Sequence, residues 1–263
     1  MRELLGSFLS NDSAFGRAMT HCGVAIGANL MFVLFSLPVI TTGAAWTALE
    51  YTMLRAERGD GVINPFKEFW KGFRTNWKQS TLAGFLAAAL GLFLLVDIRI
   101  TAQADGAVAM LRVPLTALLI AEVLMLIWLF PVMAAFADSL SRLFRNSFYF
   151  ALKRAWTLPI LLFFHVFPFY LTYTDAQMQP LYAFIWAFFG FSLLARLDAK
   201  LMLPVFVPYL PRVDEYGDMI LEPEGESAWE LPEETEAAGT TAAPAHAQKS
   251  EKEILEEMQK LGM

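Results

Sequence analysis

Glu122 is the residue in this sequence whose setting most invites chemistry. It stands tenth in the 25-residue apolar run Val113–Ala137. A carboxylate near the middle of a bilayer is costly to bury, and intramembrane ionisable groups are functional candidates by default. His165 and Asn29 also sit inside apolar runs, Trp156–Thr174 and Cys22–Ile40. A Glu–His pair could relay a proton or bind a polar solute. The competing use is a hydrogen bond that fastens one span to another. Arg196, Asp198 and Lys200 form a second constellation just before Pro204. Either their long side chains reach outward from a helix end, or they enter the apolar body, where Arg196 would counter Glu122. Thr41-Thr42-Gly43 follows Pro38 and reads as a turn leaving a span, or as irregular backbone lining a cavity.

Enzyme signatures are missing. The chain has no GxxxxGK[ST] phosphate loop, no HExxH and no GxSxG, and Cys22 is its single cysteine. His21, His165 and His246 are scattered. The expectation is a protein without catalytic residues, cofactor or bound metal. With few basic residues in a greasy chain, a nucleic-acid partner is excluded as well.

The elements that must position these groups follow from composition. Of 263 residues, 56% are hydrophobic and 17% charged, which is too little polar surface for a soluble domain of this size. The charge is split: residues 1–213 carry 17 Lys and Arg against 12 Asp and Glu, and residues 214–263 carry 3 against 14. The chain therefore reads as a transmembrane body, 1–213, joined to an acidic tail, 214–263. The tail is too poor in apolar residues to fold alone, apart from a short amphipathic helix at 251–261. Five runs approach the length that crosses a bilayer, about 20 residues: Cys22–Ile40, Thr81–Ile98, Val113–Ala137, Trp156–Thr174 and Pro180–Ala195. The last is short unless it continues to Val207. The fold class is all-α: a polytopic helical membrane protein with amphipathic connecting helices, its bilayer the first partner. Lys and Arg concentrate in Thr41–Ser80 and Asp138–Ala155. Both connections belong inside the cell by the positive-inside rule, which puts the N-terminus outside and the tail in the cytoplasm.

These connections carry pattern of their own. After Asn64-Pro65, a helix cap and start, Phe66, Phe69, Trp70, Phe73 and Trp77 fall on one narrow arc. Lys67, Glu68, Lys71, Arg74 and Lys78 fall on the other side. The segment reads as an interfacial elbow packed on the spans, or as a docking face for a partner. A second such segment places Leu140, Leu143, Phe144, Phe148, Ala151 and Leu152 opposite Arg142, Arg145, Asn146 and Lys153.

The run Ser36-Leu-Pro-Val-Ile-Thr-Thr-Gly-Ala-Ala-Trp-Thr-Ala-Leu49, with Phe66, Phe69, Phe73, Asn76 and Lys78-Gln79-Ser80 after it, resembles the YesL family of bacterial multi-pass membrane proteins. The likeness is specific from about Gly23 to Leu90 and looser to Arg154. The acidic extension and the charges around Arg196 depart from the family pattern. The family is of unknown function, so no site residue carries over. The resemblance implies the bacterial plasma membrane and an accessory role beside carbohydrate transporter subunits, including ABC-type systems. The alternative is a small secondary transporter or channel using Glu122 and His165.

Overall fold

The computed structural model describes residues 14–59 and 63–210. The acidic tail and its expected helix lie outside them. Among the described residues every regular element is helical. In chain order these are α1 (Ala14–Ser36), α2 (Thr42–Arg58), α3 (Pro65–Ala102), the single turn α4 (Ala107–Met110), α5 (Arg112–Ala135), α6 (Leu140–Lys153), α7 (Leu158–Thr174), α8 (Gln179–Ile185) and α9 (Phe191–Phe206). Among the described residues, five stretches are long and apolar enough to cross a membrane: Ala18–Ser36, Pro65–Ala102, Ala107–Ala135, Ala155–Thr174 and Ala176–Tyr209. Their outer surfaces are apolar, with Leu92, Phe93, Val113, Phe163 and Phe184 all more than half exposed. That inverted pattern suits lipid as the solvent. The fifth stretch does run on past Arg196 to Tyr209, through a five-residue π-helical turn at Trp186–Gly190.

The centre of the body is α2, which is not one of the spans. It packs against α1, α3, α5 and α9, and Gly43 to Ala45, Thr47 to Glu50 and Thr52 to Leu54 are buried. Small residues let neighbouring backbones come close. A Cβ built on Gly43 would lie 2.4 Å from the Ser80 carbonyl oxygen, and one on Gly84 would lie 3.0 Å from the Gly43 Cα. The hydroxyls of Thr47 and Thr52 donate to the carbonyls of Gly43 and Ala48 one turn back, at 3.1 and 2.9 Å. Their polarity is thereby satisfied inside the helix, and they can be buried cheaply. Gly59, at φ 82°, ends α2 in the left-handed conformation that glycine adopts without strain.

The expected connection from Thr41 to Ser80 is therefore corrected. Its first half is this inner helix. Its second half, the aromatic segment, is no separate elbow but the opening of the 38-residue α3, about 57 Å long. The cap reads as expected, with Asn64 Oδ1 accepting from the amides of Phe66 and Lys67. The aromatic arc divides. Phe69 is fully buried and Phe73 packs with it around Phe35 of α1, whereas Phe66, Trp70 and Trp77 remain about half exposed.

Contacts fix the directions. Gly27 of α1 lies against Pro65, and eight residues later Phe35 meets Phe69, Trp70 and Phe73. Hence α1 and α3 run the same way over this contact. Between them α2 returns, with Gly43 at Ser80 and Gly84, Tyr51 at Gly72 and Arg55 paired to Glu68 at 3.0 Å. The last turn of α1 thus lies level with the basic opening of α3, with Phe35 against Phe69, Trp70 and Phe73. In α6 the buried line is Leu143, Ser147 and Phe150, so Phe148 and Leu152, expected inside, point out at 59% exposure each.

Candidate functional site

The packing of α2 brings a carboxylate that sequence reasoning passed over to the centre of the body. Glu50 is fully buried, and its nearest polar neighbours are Asp198 of α9 and Trp46, one turn earlier on α2. Asp198 is fully buried too, which answers the question left open for the 196–200 cluster. The charge at 198 enters the body, Lys200 stays exposed, and Arg196 Nε pairs with Glu57 of α2 rather than with Glu122. From α7, His165 completes the group. Its Nε2 stands 3.1 Å from Asp198 Oδ2, its Nδ1 stands 3.0 Å from the Leu161 carbonyl oxygen, and 9% of its side chain is exposed. Three helices thus converge two carboxylates and an imidazole. As placed, neither oxygen of Glu50, neither oxygen of Asp198 nor Nε2 of His165 closes a hydrogen bond among the described residues. No set of His, Cys, Asp and Glu among those residues is arranged to hold a metal ion.

Asn29 does other work. Its Nδ2 donates to the carbonyls of Trp186 and Ala187, and its Oδ1 accepts from the amide of Ser192, each at 2.9 Å. These are the backbone groups around the π turn, whose shifted register leaves carbonyls in need of donors. Asn29 pins α1 to that turn.

Glu122 stands apart from both. It lines a cleft of about 610 Å³ between the α1–α2 turn, α2, α3 and α5, with Val39, Gly43, Trp46, Phe85 and Phe130 among its walls. Its carboxylate lies over Gly91, where a Cβ would come 3.4 Å from Oε2, and neither oxygen has a hydrogen-bond partner among the described residues. No contact joins it there to His165, Asn29 or Arg196. The four residues expected to form one polar site occupy four places. Trp46 links two of them: its ring lines the cleft and lies 6.2 Å, centroid to centroid, from the His165 imidazole.

A signal for Glu50 was present. Gly43, Thr47, Glu50 and Leu54 fall at spacings of four, three and four, one face of a helix. Averaged hydropathy hides such a face when the residues on it are small or polar.

Fold and site together define a polytopic, all-helical membrane protein with an inner helix enclosed by its spans. Residues 25–98 match the family described as "Protein of unknown function, DUF624". The chain is similar to "Uncharacterized protein YesL" of Bacillus subtilis (strain 168), 29% identical over 129 residues, which are 48% of this chain and 61% of that relative. These matches bear out the resemblance to the YesL family, a family without an established function. The family match contains Trp46 and Glu50 and ends before Glu122, His165 and Asp198. No solved structure matches the chain.

Proposed function

We propose that the chain is a non-enzymatic accessory protein of the bacterial plasma membrane that assists carbohydrate uptake by docking transporter subunits, ABC-type systems included. The observation that carries this reading is the free side of the opening of α3. There Phe66, Trp70 and Trp77 are about half exposed beside the exposed Lys67, Lys71, Arg74 and Lys78. At about 57 Å, α3 outruns a hydrocarbon core of about 30 Å, so part of it stands clear of the bilayer interior. Aromatic and cationic side chains together suit a protein interface. The cleft supports the accessory reading over a sugar carrier. Its polar lining is Thr42, Trp46 and Glu122 in an otherwise apolar wall, and a sugar needs a denser set of hydrogen-bonding groups.

Purification in mild detergent tests the docking. Solute-transporter subunits should accompany wild type and be lost from a Trp70→Ala/Trp77→Ala double variant of normal abundance. Sugar flux by the protein alone in liposomes would overturn the accessory role. Sidedness belongs to the same proposal. With the basic opening of α3 in the cytoplasm, the meeting of Phe35, at the end of α1, with Phe69, Trp70 and Phe73 supports the expected outside N-terminus. Cysteines at Asn11 and Lys71 should then fall on opposite sides in labelling with an impermeant thiol reagent. Labelling of Lys71→Cys on intact cells, alone or together with Asn11→Cys, would overturn that orientation.

A further inference from the structure

Hydrogen-bond accounting at His165 leads beyond the accessory reading and does not rest on it. A carbonyl oxygen only accepts, so the 3.0 Å contact to Leu161 requires the proton on Nδ1. Nε2 of the neutral ring would then be an acceptor facing a carboxylate oxygen at 3.1 Å. The pair closes no hydrogen bond as placed, and a proton between them, as imidazolium with carboxylate or imidazole with carboxylic acid, would join them. The centre therefore has a place for one exchangeable proton. Glu50 offers a second place, because it is fully buried beside Asp198, with Trp46 the other polar group against it.

The cleft supplies a way in. Trp46 is the wall between it and the centre: half-buried, on the cleft surface, one turn from Glu50 and in ring contact with His165. Glu122 stands on the same cleft. We propose that Glu50, Asp198 and His165 form a buried proton-exchange centre, reached from the α2–α3–α5 cleft past the Trp46 side chain. Uptake adds one proton from solvent to the carboxylate pair and converts one carboxylate to a carboxylic acid whose O–H donates to the other. Release returns that proton to solvent. No bond between heavy atoms changes, and nothing is oxidised or reduced.

On α2, Glu57 is held by Arg196 of α9 and Arg55 pairs with Glu68 of α3. α5 brings Glu122 to the cleft, α1 brings the neutral Asn29 to the π turn, and Lys200 of α9 is exposed.

The experiment uses the full chain in lipid nanodiscs with ¹⁵N-labelled histidine, the His165 ring signals being assigned by His165→Gln. In wild type these signals should shift as bath pH is varied. Glu50→Gln should displace the midpoint by about tenfold or more in proton concentration, because it removes a charge from the site. Trp46→Ala should speed hydrogen–deuterium exchange at the ring by about tenfold or more, as expected if the bulkiest obstacle is removed. Wild-type signals that ignore bath pH overturn the proposal, and that result stands even if a variant is not recovered folded. A midpoint unchanged in folded Glu50→Gln removes the carboxylate pair from the centre. Exchange unchanged in Trp46→Ala overturns the route.

Discussion

Glu50 and Glu122 make opposite cases of one residue type. Glu122 is flanked on both sides by uninterrupted apolar sequence, yet it lies half-buried on an open cleft with no partner among the described residues. Glu50 lies in a helix with three threonines and several charges, too polar to count as a span, yet it is fully enclosed and faces a second acid. In a helical membrane body the apolar flanks of a residue report contact with lipid, not depth inside the protein. The innermost helix is shielded by the others and is free to be polar. Where a carboxylate can do chemistry thus depends on which helices surround it.

The sharpest way to break this contrast is to remove the enclosure itself. Gly84→Leu forces a side chain into a crossing where even a Cβ comes within 3.0 Å of backbone. It should displace α2 from α3 and eliminate nearly all folded protein, read as membrane abundance after mild solubilisation. Gly23→Leu, where a Cβ meets nothing within 4 Å, should leave abundance unchanged.

Phe69→Glu comes next. It places an unpaired carboxylate in a fully buried position, at a cost of about 3–5 kcal/mol. Thermal unfolding in detergent should show a large loss, while Lys71→Glu on the exposed side should change little. Equal tolerance of both would mean that α3 does not pack through its aromatic arc.

Asn29→Ala should be intermediate. It strips donors from the Trp186 and Ala187 carbonyls and the acceptor from the Ser192 amide, for about 1–3 kcal/mol. Amide exchange should accelerate at Ser192 and not at Thr47, whose helix does not depend on that side chain.

Glu122→Gln is the smallest effect expected. The amide keeps the shape, and the carboxylate has no hydrogen bond among the described residues to lose, so stability should stay within about 0.5 kcal/mol. A large loss there would show that Glu122 is as deeply committed to the fold as Glu50.

What could be read in advance was what depends on short stretches of chain. The spans followed from apolar length, and the start of α3 from Asn64-Pro65. The site depended on how each helix is turned about its axis, and only packing decides that. Asp198 and Lys200 lie two residues apart, about 200° around a helix, so one had to face away from the other. Nothing in the stretch said which would be inside. The inner helix was missed because Thr47 and Thr52 count as polar in any hydropathy average, although their hydroxyls are bonded within the helix. The pairing of His165 with Glu122 failed for the same rotational reason, since α9, not α5, presents the acid to it.

The length of α3 has a mechanical side. From Trp70 at its outer opening to Gly91 beneath Glu122 there are 22 residues of unbroken helix without a proline, a rod of about 30 Å. A helix of that kind has no joint at which to absorb a push. It is held close to its middle, where Gly43 and Gly84 touch, and that contact acts as a fulcrum. Anything that seizes the aromatic end and tilts it swings the opposite arm, which forms one wall of the cleft.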